Sequence, residues 1–185
     1  MRDATRSEHE RTERAVEERF FEGGMDRERY RRYLEALLGF YRPVEARLDP
    51  LVRRHLDELD PPDRTARIER DLETLGLTDA QLADLESLPE EDLPPVDGAH
   101  RLLGCLYVLE GAELGGRVIW KRIRGELDPG TLEANAFLAT DADRTRRHWR
   151  HFRASFDRRV GTEEAFDEAL SAARSTFRVY RGWMA

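Results

Sequence analysis

The chain has 185 residues, enough for one domain with a sizeable core and too few for us to expect two. Hydrophobic residues make up 39% and charged residues 37%, which is typical of a globular protein with a heavily charged surface. The net charge of −7 argues against binding nucleic acid over the whole surface. No apolar run approaches the roughly 20 residues needed to cross a bilayer.

Cysteine usage and the first residues bear on the compartment. Cys105 is the single cysteine, which excludes an intrachain disulfide. The opening Met1–Thr5 stretch lacks the apolar centre of a secretory signal. We therefore expect a single domain over residues 1–185 in the cytoplasm, with neither a membrane nor a nucleic acid as partner.

Helical periodicity begins at the N-terminus. A first helix is predicted from about Asp3 to Phe21, ended by Gly23 and Gly24. A second begins after Asp26, its predicted N-cap, and Pro43 could kink it. The break Asp60-Pro61-Pro62-Asp63 is expected to end it. Its apolar residues recur at spacings of three and four and predict one buried stripe: Tyr30, Tyr33, Leu34, Leu37, Leu38, Tyr41, Val44 and Leu48.

Shorter elements fill the middle of the chain. Two helices are predicted at about Ala66–Leu75 and, capped by Thr78, at about Asp79–Leu88. Residues 89–98 carry three prolines and four acids and predict a surface loop. The least polar segment, His100–Ile123, follows and predicts a central helix.

Two long helices close the chain. After a connection over Asp128–Ala139, they are predicted at about Asp141–Val160 and Thr162–Met184. Neither an alternating run of strand length nor an internal repeat is found. The pattern predicts an all-α bundle of seven to eight helices around one core. Five apolar residues of the last helix share one predicted face: Phe166, Leu170, Ala173, Phe177 and Tyr180.

Glycine is unusually frequent in the central helix. Each glycine costs a helix on the order of 1 kcal/mol relative to alanine. Gly104, Gly111 and Gly115 fall with Tyr107 along one face, and Gly116 extends the series to a pair that permits bending. Either another helix packs closely on this face, or a flat ligand lies against its bare backbone.

One histidine has the setting of a ligand. His9 lies in the first helix, with Val16 and Phe20 on its face and Glu13 one turn away. A single histidine on such a face is either a core residue with a satisfied hydrogen bond or a metal ligand. In the second case Glu13 would hydrogen-bond the far ring nitrogen and orient the ring.

The segment 144–159 is strongly basic. It is either a solvated helix face or a cationic edge that receives carboxylates or an acidic protein partner. His148 and His151 have no nearby carboxylate or cysteine in sequence to complete a metal site. Cys105 lies well around the helix from Gly111 and Gly115 and is interpreted as a small buried hydrophobe.

Four segments, taken together and in order, resemble the haem oxygenase family, and particularly its soluble bacterial members associated with phytochromes. The first is similar to the family's opening Ala-Thr-x-x-x-His, and the third to its distal helix. The four segments are Arg2–His9, Tyr33–Tyr41 with Val44 and Glu45, Leu106–Gly116, and Ala173–Phe177.

The resemblance implies roles for individual residues. His9 would be the proximal iron ligand, with Glu13 orienting it. Gly111, Gly115 and Gly116 would let the distal backbone lie against the porphyrin and the bound oxygen. The other positions implied to contact haem are Arg2, Arg6, Tyr107, Ala112, Arg153 and Phe177. Arg153 would hold a propionate, Arg2 and Arg6 would be basic contacts near the first helix, and Phe177 would wall the pocket.

One departure from the family pattern concerns the distal side. Ala112 stands where the mammalian enzymes have an aspartate that organises water, and where serine is usual in the phytochrome-associated members. Its side chain forms no hydrogen bond.

The resemblance also implies an activity. Haem b would be both substrate and cofactor, with biliverdin, iron and carbon monoxide as products. An external ferredoxin or flavoprotein reductase would supply electrons, and a bacterial phytochrome is a possible recipient of biliverdin. Two alternatives stay open: a haem carrier or sensor without enzymatic activity, and a thiaminase-like enzyme of the wider helical superfamily that binds no haem.

Overall fold

The computed structural model describes residues 1–59 and 63–185, and within those ranges it contains eight α-helices and no strand. The predicted all-α bundle of seven to eight helices is confirmed. No helix in the described ranges is long and apolar enough to cross a membrane. The helices are α1 Arg6–Val16, α2 Arg27–His55, α3 Arg64–Thr74, α4 Asp79–Ala83, α5 Ala99–Ile123, α6 Pro129–Leu132, α7 Ala142–Arg159 and α8 Glu163–Met184.

The first predicted helix is a composite. A 3-10 turn, Asp3–Thr5, precedes α1, and a π-helical turn, Glu17–Phe21, follows it. Gly23 and Gly24 then take positive φ angles of 88° and 89°, which glycine adopts without a steric penalty. The π turn is wider than an α-helical turn, and such turns are frequent at functional sites.

The long helix α2 forms the centre of the core. The Asp26 carboxylate caps it by accepting a hydrogen bond from the Arg29 backbone N–H at 2.8 Å. All eight apolar residues of the predicted stripe are buried. The helix continues through Pro43 and Pro50. It ends at His55, and the predicted break at residues 60–62 lies outside the described residues.

Helix α8 packs against both α1 and α5. Its buried face is centred on small side chains, whereas Phe166, Leu170 and Tyr180 of the predicted face are only half-buried. Small residues allow the backbone of α5 to come close. A Cβ on Gly104 would lie 2.8 Å from the Ala169 carbonyl carbon and 2.9 Å from its Cα. The central small residues are Ala165, Ala169, Ala172, Ala173 and Thr176.

Two glycines of α5 should respond oppositely to one added methyl group. Gly104→Ala should lower the free energy of unfolding by about 1–3 kcal/mol, because its Cβ overlaps the α8 backbone. Gly115→Ala should raise it by up to about 1 kcal/mol, because no described atom lies within 4 Å of the added Cβ and alanine favours the helix. Urea unfolding of both variants measures this difference. Equal effects of the two substitutions would contradict the α5–α8 packing.

Candidate functional site

Two side-chain contacts, one near each end, join α1 and the residues that flank it to α5. At one end the Glu17 carboxylate accepts two hydrogen bonds of 2.6 Å from the Arg122 guanidinium. At the other end the Thr5 side chain faces the Tyr107 hydroxyl. Thr5 and Glu17 flank α1 in the same order as Tyr107 and Arg122 occur along α5, so the two helices run in the same direction. At a rise of about 1.5 Å per residue, the two ties lie roughly 20 Å apart along the helices. We call the space bounded by α1, α5 and these two ties the slot.

His9 stands on the α1 side of the slot. It lies at helical spacing from Thr5, Thr12 and Val16, which are all buried, yet its own side chain is 57% exposed. An exposed residue within a buried stripe marks an opening in the structure. Its Nδ1 lies 3.4 Å from the Glu13 carboxylate, which leaves Nε2 to face a ligand.

The α5 side of the slot is bare. Among the described residues, no atom lies within 4 Å of a Cβ built on Gly111 or on Gly115. Val118 follows Gly115 by three residues and continues the same helix face. It is 71% exposed, the most exposed large hydrophobic residue of the described chain. Two glycines followed by an exposed valine leave this face of α5 uncovered.

The other two glycines of the predicted series serve packing. Gly104 contacts α8, as described above. Gly116 is buried, and a Cβ there would lie 3.3 Å from the Leu138 side chain. The two explanations for the glycines therefore apply to different positions: helix packing at Gly104 and Gly116, and an open face at Gly111 and Gly115. Ala112 is exposed next to that face.

Phe177 lies on the side of the slot that faces α8, in contact with both α1 and α5. Its ring meets the His9 ring edge-on, with centroids 6.0 Å apart. The Phe177 side chain also packs with Val108 of α5 and Ala173 of α8. Met1 and Tyr107 pack against this cluster. The structure thus brings His9, Phe177 and the helix that carries the glycines to one place.

Arginines lie at the Tyr107 end of the slot. Burial raises the pKa of Tyr107, while the charges of Arg153 and Arg2 lower it, so both guanidinium groups are near the phenol. Arg153 is 50% exposed and makes a loose ion pair with Asp157 at 3.7 Å. Arg6 is engaged with Asp3 at 2.6 Å on the surface. This end of the slot therefore carries three arginines, two of which are paired with aspartates.

A buried ionic cluster underlies the glycine-bearing part of α5. The Glu110 carboxylate accepts hydrogen bonds from Arg64 of α3 at 2.9 Å and from His148 of α7 at 2.8 Å. Arg64 also bonds Glu45 of α2 at 3.2 Å, and Glu113 pairs with Arg67 at 3.1 Å. Sequence reasoning missed this cluster because its members lie on four different helices.

The cluster holds its charges firmly. Burial alone would raise the pKa of Glu110, but Arg64 and His148 outweigh burial and the pKa is lowered. The hydrogen bond to Glu110 raises the pKa of His148, and this effect exceeds the opposing effect of burial. His148, for which sequence reasoning found no carboxylate, therefore has one through space.

Cys105 is fully buried. Burial raises the pKa of its thiol to about 11, although a hydrogen bond with Thr176 acts in the opposite direction. Since the thiolate is the nucleophile, this residue is unsuited to nucleophilic catalysis at neutral pH.

Two surface hollows lie elsewhere. One of about 400 Å³ is lined by Arg19, Arg29, Arg32 and Trp183 among others, and one of about 370 Å³ lies on α7 beside Trp149. Neither contains a histidine or any residue of the slot.

The chain is similar to known proteins along its whole length. A family model described as Heme oxygenase matches residues 1–185. A protein of Xanthomonas campestris pv. campestris (strain 8004) described as "Heme oxygenase" is 34% identical over 84 residues. The matched stretch is 45% of this chain and 50% of that protein, so the chain covers about half the length of this relative.

The buried thiol gives a testable expectation. With a pKa of about 11, only about one Cys105 thiol in a thousand is ionised at pH 8. A disulfide reagent such as Ellman's should therefore leave the native protein almost unreacted and label one thiol per chain in denaturant. Cys105→Ala should give no signal in either condition. Rapid labelling of the native chain would restore a nucleophilic role for Cys105 and the thiaminase-like alternative.

Proposed function

The chain belongs to the haem oxygenase family, and we propose that it binds haem b in the slot and opens it to biliverdin. The observation that carries the proposal is the pairing of an exposed histidine with an open glycine face across one slot. His9 follows the Thr5 tie by four residues, and Gly111 follows the Tyr107 tie by four. Because both helices have the same rise and direction, His9 and Gly111 stand at similar depth.

The residues of the slot fit a haem. A planar macrocycle needs a flat apolar surface, which the Gly111, Gly115 and Val118 face supplies. His9, on the opposite side of the slot, would hold the iron. The two haem propionates need cations at an exposed edge, and Arg153 and Arg2 lie at the Tyr107 end.

His9 would hold the iron through Nε2. Glu13 lies on the Nδ1 side of the ring, where it fixes the tautomer and the orientation of the imidazole. Phe177 packs edge-on against the same ring and limits its rotation. A neutral imidazole ligand supports oxygen binding, whereas a thiolate favours splitting the oxygen bond.

The distal face acts through shape. Gly111 and Gly115 would leave room for a small molecule between the macrocycle and the backbone, and Val118 would add apolar surface beside that space. Gly116 contributes by letting α5 lie against Leu138. Ala112 offers no polar side-chain group, so protons on this side would come from water.

The arginines hold the exposed edge. Arg153 is released easily from Asp157, because an exposed ion pair at 3.7 Å contributes little. Arg2 and Arg6 would contact a propionate near the start of α1. Arg6 would leave its ion pair with Asp3 to do so. Contacts of this kind would give the macrocycle a preferred orientation and so decide the carbon at which its ring is opened.

When bound, haem supplies an iron that binds dioxygen and a ring that is oxidised to biliverdin, with release of iron and carbon monoxide. The protein contains no source of electrons in this proposal, so a ferredoxin or flavoprotein reductase reduces the complex. In a cytoplasmic setting, the product is available to a bacterial phytochrome.

A haem carrier or sensor is the second candidate, and Ala112 favours it, because the side chain at that position cannot organise water. One experiment separates the two functions. The chain is mixed with haemin and then with a reductant, and the absorption spectrum is followed. Conversion to a biliverdin spectrum supports the oxygenase, whereas a stable haem band that persists through reduction and oxygenation supports the carrier.

Replacing the proposed iron ligand should have a specific effect. His9→Ala should weaken haem binding by more than about tenfold and abolish normal turnover, because the axial bond is lost. Exogenous imidazole should restore part of the activity. His151→Ala, at an exposed histidine of α7, is the matched control and should leave both quantities unchanged. Normal turnover in the His9 variant would overturn the assignment.

Filling the bare face should separate folding from binding. Gly115→Leu should retain the fold, because its side chain enters open space and leucine favours a helix over glycine by about 0.8 kcal/mol. Haem binding should be lost, because the added side chain occupies the plane of the macrocycle. Circular dichroism and haemin titration measure the two effects. Retained haem affinity in a folded variant would move the ligand off this face.

A further inference from the structure

The buried ionic cluster has no part in the function proposed above, and it adjoins the glycine face directly. Glu110 precedes Gly111 in α5, and its side chain is only 3% exposed. It is held from two sides, by Arg64 of α3 and by His148 of α7. Any shift of these partners therefore acts on the helix segment that lines the slot.

The hydrogen bonds of the cluster are directional, which distinguishes them from the apolar contacts around them. Each oxygen of Glu110 has its own partner: Oε1 bonds Arg64 and Oε2 bonds His148. A carboxylate held at both oxygens fixes the rotation of its helix as well as its position. Gly111 and Gly115 have no side chains with which to fix that rotation themselves.

Helix α7 connects the cluster to the edge of the slot. His148 lies one residue from Trp149, whose ring is 5.7 Å from Tyr107. Arg153 stands further along the same helix and also faces Tyr107. The His148–Glu110 contact therefore joins the helix that carries the cationic edge to the helix that carries the bare face.

We propose that Glu110 and His148 are positioning residues of the slot: their contact clamps α7 to the glycine-bearing part of α5, and the clamp weakens when His148 loses its proton. This inference rests on the proposed haem site. A hydrogen bond between two charged groups is roughly twice as strong as one between neutral groups. Deprotonated His148 keeps a donor in one tautomer but no longer a charge.

The charges around His148 give the direction of the pH effect. Glu110 and Glu113 of α5 face it and favour its protonated form, and Arg64 of α3 opposes that form. Arg64 is in turn neutralised by Glu45 of α2. The net result is a raised pKa for His148. The clamp is therefore complete below the ordinary value of 6.5 and is lost as the pH rises through the raised value.

The test uses His148→Gln, whose side-chain amide keeps a donor but carries no charge. Glutamine is close in size to histidine, so the variant should change the packing around this 24%-exposed side chain little. His151→Gln, one turn away on the exposed side of α7, is the matched control. In the haem-free chain, the NMR titration of His148 and the difference in melting temperature between wild type and His148→Gln are followed from pH 6 to pH 9.

The haemin dissociation constant is then measured over the same pH range. The ratio of the variant constant to the wild-type constant cancels the contribution of His9, which both proteins share. This ratio should be about fivefold at pH 6, at the low end of couplings between sites, and should fall toward one at pH 9. The ratio for His151→Gln should be one throughout.

The outcomes separate this inference from the function on which it rests. A His148 ratio that stays at one, or that does not change with pH, while the melting temperatures show the clamp in the haem-free chain, makes the contact purely structural and overturns the positioning role. Absence of haem binding by the wild-type chain at every pH overturns the proposed function and this role with it. A pH-dependent ratio confined to His148→Gln supports both.

Discussion

The close contact between α5 and α8 is the constraint on which the slot depends. Gly104 lies directly on the backbone of Ala169, and any side chain at that position would hold the two helices apart. Because α1 also packs on α8, the distance between α1 and α5 is set by how both sit on this third helix. Phe177 then fills the bottom of the space between them. Small side chains at one point thus determine the width of the slot at another.

The slot has a cost in stability that the rest of the fold offsets. Gly111 and Gly115 weaken a helix by about 1 kcal/mol each, and Val118 exposes apolar surface that a packed helix would bury. Beneath them, Arg64 is 1% exposed, and such a buried charge is tolerated only when it is paired and hydrogen-bonded. Burying only apolar side chains here would cost less free energy, but it would leave the rotation of α5 about its own axis less well defined. Proteins depart from local rules most often where a site requires it.

The sequence by itself determined the helices and most of their ends. Periodicity and capping act between residues four or fewer apart, so they can be read without knowing the fold. The stripe on α2 and the caps at Asp26 and Thr78 are therefore visible in the chain as written, and the structure contains them. The family resemblance was likewise visible, because its motifs are short segments in a fixed order. The π turn at Glu17–Phe21 was not visible, because it follows no local pattern that differs from an α-helix.

Only the tertiary structure decided what each glycine and each histidine does. Gly104 and Gly115 lie on one predicted helix face with the same chemistry, yet one is covered by α8 and the other is open. The same holds for charge: His148 and Glu110 are far apart in the chain, and their contact exists only because α5 and α7 pack together. Burial and pairing through space depend on which surfaces meet. Periodicity within a single helix does not contain that information, and the slot depends on which surfaces meet.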